Sequence, residues 1–381
     1  MSGDLKNSCT RPCSFTGTHR ENTRDTQDHT PASPAAIIVL PESERKETLR
    51  TAFMKARILV TRPPSNAALV ELRRRFSVEA NEQGSAWSAE ELRLRAADKD
   101  GLLISGADRI DGPLLDATPK LKVVCNVAVG YNNIDLAACS TRGVLATNTP
   151  GVLDETTADL TWALLLATAR RLPEAERFMR AGQWQGWRGD TFMGRDVHHA
   201  TLGIIGLGRI GLAVARRAHG FSMKVLYHNR HRLSRKVEQQ WGVTYATLPR
   251  LLRTADFISL HLPYSPEVHH LIGEKQIAQM KPSAVLVNAA RGGLVDDVAL
   301  IAALRSRRIA AAGLDVFESE PNFNSGFLEL DNVAILPHIG SATQVTRQAM
   351  FQLAVKNLTA ALAGKRPPSL LNPAAWKNRR R

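Results

Sequence analysis

The stretch LGIIGLGRIG, residues 202–211, decides the fold of this chain because it joins a strand pattern to a helix pattern through three glycines. Their spacing is GxGxxG. Glycines at these positions permit a tight turn and let a phosphate approach the backbone, where the first amides of the following helix can hold it. The β-rich run before the glycines and the amphipathic run after them are the context that this motif requires. The stretch therefore predicts a phosphate-binding loop made of Gly206, Gly208, Arg209, Ile210 and Gly211.

Short β-rich runs alternate with helical patterns on both sides of this loop, which is typical of parallel sheets covered by helices. The second half of the chain predicts six strands, at 202–206, 224–228, 256–262, 284–290, 311–316 and 333–337. Six strands with helices between them match a doubly wound dinucleotide-binding domain. The first half predicts four strands, at 57–61, 101–105, 122–127 and 144–148. We therefore predict an α/β chain built on parallel sheets.

Two longer helices frame the second series of strands. The first has Asp154 as its predicted N-cap and continues through an apolar stretch until Pro173. A helix with apolar residues on most of its sides must be buried. The last helix is predicted from about Ser341 to Gly364, ahead of two prolines.

The run YHNRHR, residues 227–232, lies where an Asp or Glu normally accepts hydrogen bonds from the ribose hydroxyls of NAD. This chain has the uncharged Asn229 there. Arg230 and Arg232 can pair with a 2′-phosphate through charge-assisted hydrogen bonds, although arginines at a strand end are also commonly just solvated. The missing acid together with two arginines favours NADP as the cofactor and leaves NAD open.

Three charged features follow later strands, at the sheet edge where open α/β folds place their sites. NAARGGLVDD presents Arg291, LDVFESEP presents Asp315, Glu318 and Glu320, and LPHIGSAT presents His338. Each has a structural alternative: an ion pair at a helix cap for Arg291, a solvated loop acid for Glu320, and a satisfied buried histidine for His338. Their joint placement at the mouth of one sheet, beside a nicotinamide site, indicates a catalytic group.

Length and composition limit the class of protein. A chain of 381 residues accommodates two domains, and 44% hydrophobic residues supply a sizeable core. The four cysteines lack metal-ligand spacing, so we expect no metal, and Cys125 is predicted to be buried and inert. No apolar stretch approaches the roughly 20 residues that span a bilayer, so we expect a cytoplasmic protein without membrane contact. Residues 1–53 are predicted to be a disordered extension or a mis-assigned start before Met54.

The formal net charge of +14 needs an explanation. We attribute it to Arg-rich exposed helix faces and the basic end KNRRR, residues 377–381, and to attraction of small anions by the field of the whole protein. Aromatic residues are few near the basic clusters and no nucleic-acid reading motif is present, so nucleic acid is not expected as a partner.

Five motifs together resemble the D-isomer-specific 2-hydroxyacid dehydrogenase family: NVAVGYNNID (126–135), TLGIIGLGRIG (201–211), NAARGGLVDD (288–297), GLDVFESEP (313–321) and LPHIGSAT (336–343). Within it, GRDVHHATLGIIGLGRIG and YHNRHR look most like the bacterial glyoxylate/hydroxypyruvate and 2-ketogluconate reductases. The resemblance implies two doubly wound parallel-sheet domains and NADPH-dependent reduction of small 2-keto acids to D-2-hydroxy acids. A Rossmann domain, residues 152–340, would be inserted in a smaller, flavodoxin-like substrate-binding domain, residues 54–151 and 341–372.

The resemblance also implies roles for single residues. Arg291 would hold the carboxylate of a 2-keto acid and polarise its keto oxygen, His338 would be the general acid, and Glu320 would orient the imidazole and stabilise its protonated form. Asp315 would hold the nicotinamide carboxamide. Other implied contacts are Val129, Gly130 and Ser341 for the substrate, and Thr157, Pro263, Ala289 and Ala290 for the cofactor.

The expected partner is a second copy of the chain, with the apolar helix at 155–172 as the candidate homodimer contact. Some relatives insert a partner-subunit Trp into the active site from the loop near residue 190, where this chain has only Phe192 as a large aromatic. A narrow substrate preference therefore does not transfer. Two alternatives stay open: an NAD-linked D-2-hydroxyacid or phosphoglycerate dehydrogenase, and a nucleotide-sensing family member without catalytic activity.

Overall fold

The structure is a computed structural model, and it describes residues 55–63, 65–83 and 85–380. The predictions for residues 1–53 and for Met54 as a start lie outside the described residues. The remaining chain forms two parallel sheets with helices on their faces, which confirms the predicted fold class.

The first sheet has five strands, and all neighbouring strands are parallel. Their order, β2-β1-β3-β4-β5, is that of flavodoxin-like sheets. The strands are β1 Arg57–Val60, β2 Ser77–Ala80, β3 Gly101–Ile104, β4 Val123–Asn126 and β5 Leu145–Thr147. The helices between them are α1 Asn66–Arg75, α2 Ala89–Ala96, α3 Gly112–Asp116 and α4 Leu136–Thr141.

Two helices, α5 Asp154–Ala169 and α6 Leu172–Arg180, lead to a second sheet of seven parallel strands. Its order is β12-β11-β10-β9-β6-β7-β8, so the direction of winding reverses between β6 and β9. The strands are β6 Thr201–Ile205, β7 Lys224–His228, β8 Val243–Tyr245, β9 Phe257–Leu260, β10 Val285–Asn288, β11 Ala311–Leu314 and β12 Val333–Ile335. The intervening helices are α7 Arg209–Ala218, α8 Arg235–Trp241, α9 Leu248–Thr254, α10 Glu274–Ile277 and α11 Asp297–Arg305.

The last helix, α12 Gln344–Leu362, returns to the first sheet and packs on β3 and β4. Gly101 permits this contact, because a Cβ at that position would lie 2.6 Å from a methyl carbon of Leu358. The helix starts after the predicted Ser341, since Thr343 is the N-cap and its hydroxyl accepts the Thr346 amide at 3.2 Å.

Sequence reasoning missed β2 and β8. Both lie at a sheet edge and have only four and three residues, of which Val243 alone is buried. Such short, mixed runs lack the buried alternation that marks a strand in the sequence. The central strands were found because both of their faces are buried, which makes them continuously apolar.

The apolar helix α5 differs from its prediction at both ends. Its N-cap is Leu153, and Asp154 is its first residue, where a carboxylate complements the positive end of the helix dipole. The helix ends at Ala169, before Pro173, because Arg171 takes the left-handed φ of 55° and α6 starts at Leu172.

The predicted burial of α5 is confirmed, and it occurs within the chain itself. The indole N–H of Trp162 donates to the Val214 carbonyl at 3.1 Å, and its ring stacks on Phe221 with centroids 4.6 Å apart. Leu164 and Leu165 are buried against the seven-stranded sheet. Most of the apolar surface of α5 is therefore used in the core of its own domain.

In the described part of the chain, no helix combines the length and the apolarity needed to cross a membrane. Cys125 and Cys139 are fully buried, and burial raises the pKa of both thiols to about 12. Both therefore stay protonated at neutral pH, and the predicted burial of Cys125 is confirmed.

Candidate active site

The carboxyl ends of the strands in the second sheet lie at one edge and bring distant loops together. Asn288 of β10 lies beside Leu314 of β11, which lies beside Ile335 of β12. Arg291 and His338 each follow three residues after the ends of β10 and β12, so they emerge at the same edge.

The glycine-rich loop lies at the point where the winding reverses, between β6 and β9. Gly206 has a φ of +97°, and a Cβ there would lie 2.7 Å from the carbonyl carbon of His261. A Cβ on Gly211 would lie 2.5 Å from the Gly206 oxygen, whereas the space beside Gly208 is open. The first amides of α7, from Arg209 onward, have no intrahelical acceptor. These features fit the pyrophosphate of a dinucleotide.

Asn229 braces this loop from the end of β7. Its side-chain oxygen accepts the backbone amide of Leu207 at 2.6 Å. The residue at the usual position of the ribose-binding acid therefore shapes the phosphate loop through a neutral amide.

The two arginines after Asn229 differ in their surroundings. Arg232 forms a bidentate ion pair with Glu238, at 2.8 and 2.7 Å, and the Tyr227 hydroxyl donates to the same carboxylate at 2.7 Å. Hydrogen bonds from Arg232 and Tyr227 hold the pKa of Glu238 at about 2, so the pair stays charged. Arg230 is exposed, and no group in the described residues forms a hydrogen bond or ion pair with its side chain. Sequence reasoning did not foresee the partner of Arg232.

His338 and Glu320 form a hydrogen-bonded pair. The imidazole Nδ1 lies 2.7 Å from Oε2 of Glu320, and the other carboxylate oxygen accepts the Phe317 amide at 2.9 Å. Burial raises the pKa of Glu320, but the hydrogen bond and charge of His338, the Phe317 amide and the charge of Arg291 outweigh it, so the net pKa is lowered. The carboxylate is therefore ionised at neutral pH, and among the described residues Glu320 is the one hydrogen-bond partner of the His338 ring.

Asp315 fixes the turn that carries His338. It is fully buried, and its two carboxylate oxygens accept the amides of Ile339 and Gly340 at 2.7 and 2.8 Å. Burial raises the pKa of Asp315 in spite of these bonds. Thr157 lies nearby, since a Cβ on Gly340 would contact both Asp315 and Thr157. The His338 backbone itself has a φ of 54°, a conformation that this bracing sustains.

Arg291 is half-buried and held on several sides. Its Nε donates to Asn132 Oδ1 at 3.2 Å, and Nη1 donates to the carbonyl of Ala290 at 2.6 Å. Burial lowers the pKa of this guanidinium, and the charge of Glu320 partly reverses the effect; a guanidinium remains protonated in either case. Asn132 belongs to the first sheet's loops, so this contact spans the two sheet domains.

The loop after β4 carries Val129 and Gly130, and Gly130 lies against Arg291. Asn148 donates to the Val129 carbonyl at 2.8 Å, and Asn126 donates to the Gly130 carbonyl at 2.7 Å. A Cβ on Gly130 would lie 1.5 Å from Nη2 of Arg291, so only glycine permits this approach. The structure thus brings together the predicted substrate loop and the predicted catalytic arginine.

The remaining predicted residues line the same edge. Ala289 and Ala290 form the turn before Arg291, where the Ala290 amide donates to the Asn288 side chain at 3.1 Å. Pro263 is exposed after β9, and Ser341 is half-buried between His338 and α12.

Sequence reasoning missed the asparagines that shape these loops, namely Asn126, Asn132, Asn148 and Asn288. Their position in the sequence could have identified them, since three of the four are the last residue of a buried strand or directly follow one. A side-chain amide at such a place satisfies loop backbone groups that the sheet leaves unpaired.

A phosphate loop at the switch point of a Rossmann sheet, with acid–base residues on the neighbouring strand ends, defines a nicotinamide-dependent dehydrogenase. The model of the "D-isomer specific 2-hydroxyacid dehydrogenase, NAD binding domain" matches residues 162–340. The chain belongs to this family, as its motifs predicted. It is similar to a glyoxylate reductase of Thermococcus onnurineus, with 46% identity over 323 residues that cover 84% of this chain and 96% of the relative.

Two solved structures of reductases are also similar to this chain along most of its length. An NADPH-dependent glyoxylate/hydroxypyruvate reductase from Sinorhizobium meliloti, in complex with NADP and malonate, is 36% identical with a TM-score of 0.76 and covers 86% of this chain and 99% of its own. A glyoxylate reductase from Paecilomyes thermophila is 32% identical with a TM-score of 0.75, over 83% of this chain and 98% of its own.

Proposed function

We propose that this dehydrogenase reduces small 2-keto acids, namely glyoxylate, hydroxypyruvate and 2-ketogluconate, to D-2-hydroxy acids with NADPH. Residues 152–340 would bind the cofactor, and residues 54–151 with 341–372 would bind the substrate. The observation that carries the proposal is the His338–Glu320 pair at 2.7 Å, beside a guanidinium that contacts the opposite loop at Gly130. The names of the similar glyoxylate reductases support the same chemistry.

Each residue of the candidate site has a role that follows from its charge and its hydrogen bonds. The Arg291 guanidinium pairs with the substrate carboxylate and polarises the keto oxygen, and the Val129 and Gly130 amides orient the same carboxylate. A reduced nicotinamide cofactor, held at the glycine-rich loop of Gly206, Gly208 and Gly211, would supply the hydride for the carbonyl carbon. The proton that the oxygen then needs comes from Nε2 of His338, because Nδ1 is engaged by Glu320. The ionised Glu320 accepts the hydrogen bond of Nδ1 and fixes the orientation of the imidazole.

The direct test is turnover of glyoxylate, hydroxypyruvate and 2-ketogluconate, followed by NADPH absorbance and repeated with NADH. We expect oxidation of NADPH with at least the two smaller acids. Turnover with NADH alone would favour the NAD-linked alternative, which gains weight from the pairing of Arg232 with Glu238. Tight cofactor binding without any turnover would favour a nucleotide sensor.

The preference for NADPH is assigned to the arginines that follow β7. Arg230→Ala is expected to weaken NADPH binding on the order of tenfold to a hundredfold and to leave NADH binding nearly unchanged, because only NADPH carries the 2′-phosphate. Arg232→Ala is expected to act less, since two of its N–H groups already bind Glu238. Fluorescence titration with both cofactors measures this, with Lys236→Ala as the control. Equal losses for NADPH and NADH would contradict the assignment.

We propose a homodimer whose contact surface is formed by α6 and the loop after it. This surface follows the candidate helix at 155–172, whose apolar residues mostly pack in the core of their own domain. Five of the exposed large apolar side chains of the described chain fall in 22 residues: Leu172, Met179, Trp184, Trp187 and Met193. Phe192 packs edge-on against Phe178 of its own chain. A second copy would cover this surface, as the hydrophobic effect requires for so many exposed apolar groups. Trp184→Ser with Trp187→Ser is expected to shift the molar mass from dimer to monomer in light scattering; an unchanged dimer would exclude this surface.

A further inference from the structure

A cluster beside the proposed active site is not used by the mechanism. It contains His269, His270 and Glu318 from the loops that follow β9 and β11, and Asp296 and Asp297 from the start of α11. Ligand atoms of the two histidines and Glu318 lie within 4.8 Å of one another. The two imidazoles, however, stack face to face with centroids 3.8 Å apart, so their in-plane nitrogens do not converge on one metal position. The geometry is that of a hydrogen-bonded cluster.

His270 contacts both segments that carry catalytic residues. Its backbone amide donates to the carbonyl of Gly293 at 2.9 Å, two residues after Arg291. Its imidazole Nε2 lies 2.6 Å from Oε1 of Glu318, two residues before Glu320. One residue therefore joins the guanidinium loop to the carboxylate turn.

The neighbouring groups restrict how these segments can move. A Cβ on Gly292 would lie 1.9 Å from the Phe317 carbonyl, so the two backbones already touch. The Glu318 amide donates to Asp297 at 3.2 Å, and Asp296 caps α11 through the Ala299 amide at 3.0 Å. These contacts already join the two segments, and His270 adds a further link through its backbone hydrogen bond to Gly293 and its imidazole hydrogen bond to Glu318.

We propose that His270 is a positioning residue: through Gly293 and Glu318 it fixes the distance between Arg291 and the Glu320–His338 pair. The inference rests on the proposed reductase function. Misplacement of about 1 Å can cost a catalytic site up to a hundredfold in rate, so a side chain that touches no reactant can matter here.

The experiment compares His270→Ala, His270→Gln, Glu318→Gln and the double variant His270→Ala/Glu318→Gln with the wild type. We expect kcat with glyoxylate to fall about tenfold in His270→Ala and cofactor affinity to stay within about twofold. Glutamine can donate from Nε2 to Glu318, so His270→Gln is expected to recover most of kcat. The double variant should be no slower than the worse single variant, because alanine at 270 removes the hydrogen bond and glutamine at 318 removes only the charge of its acceptor.

His269→Ala is the matched control, since among the described residues its ring hydrogen-bonds only to the Tyr264 hydroxyl, at 3.3 Å, and otherwise stacks on His270. It is expected to keep wild-type kcat. Wild-type kcat in both His270→Ala and Glu318→Gln, or additive losses in the double variant, would overturn the proposal. If His270→Ala does not fold, the glutamine variants carry the test.

A measurement that does not depend on catalytic turnover separates the positioning role of His270 from the proposed reductase function. Two-dimensional NMR of the histidine rings reports the Nδ1–H of His338 that is bound to Glu320. This signal is expected in the wild type and should be lost or shifted in His270→Ala but not in His269→Ala. An inactive wild type would refute the reductase function alone, whereas an unmoved His338 signal in His270→Ala would refute the positioning role.

Discussion

Replacing His338 with alanine is expected to lower kcat for 2-keto acid reduction by about 10²- to 10⁴-fold, the range that a positioned general acid contributes. The alanine removes the Nε2 proton donor, while the Glu320 side chain keeps its hydrogen bond to the Phe317 amide. The nucleotide loop lies on other strands and is not touched. Steady-state kinetics with saturating NADPH and glyoxylate measure the loss.

Two further measurements make this test specific for proton transfer. NADPH affinity, measured by fluorescence titration, should stay close to the wild-type value, because His338 is assigned to proton transfer and not to cofactor binding. His338→Gln keeps a polar side chain but has no group that titrates near neutral pH, so it should be nearly as slow as alanine. An unchanged kcat in either variant would remove His338 from the proton-transfer step.

The second large effect is expected from Gly130→Ala. The new Cβ would lie 1.5 Å from Nη2 and 2.4 Å from Cζ of Arg291, so the guanidinium must leave its place. It would then lose its hydrogen bonds to Asn132 and to the Ala290 carbonyl. Because Arg291 is assigned to the substrate carboxylate, kcat/KM should fall about a hundredfold or more.

The fold should survive this substitution, because Gly130 lacks a left-handed φ and the atoms that clash belong to a flexible side chain. Gly112→Ala is the control, since its Cβ would meet only Arg142 Nη2 at an ordinary 3.7 Å. Both variants should melt near the wild-type temperature, and only Gly130→Ala should lose activity. Full activity in Gly130→Ala would show that Arg291 works from another position.

The sequence alone predicted which charged residues of the candidate site lie together. Arg291, Glu320 and His338 were predicted to meet because each follows a buried parallel strand, and parallel strands bring their carboxyl ends to one edge. The hydrogen bond between His338 and Glu320 bears out this meeting. What each residue does there remains a prediction.

Other features could not be read from the sequence. The Glu238 partner of Arg232 lies six residues away in the sequence, on a helix whose orientation is set by packing on the sheet. His270 and Glu318 are 48 residues apart and meet only because the loops after β9 and β11 converge on the Arg291 loop. Edge strands β2 and β8 were missed because their pattern is too short and only partly buried.

The sequence by itself determined the parallel α/β fold, the phosphate loop and the identities of the charged groups, because these depend on local patterns: apolar runs, glycine spacing and residues at strand ends. Only the tertiary structure decided which groups are paired and which are available. The Gly130–Arg291 contact joins two sheet domains, and Arg232 is partly neutralised by a nearly buried acid. Such distances depend on how helices and loops pack against each other, and no local pattern encodes them.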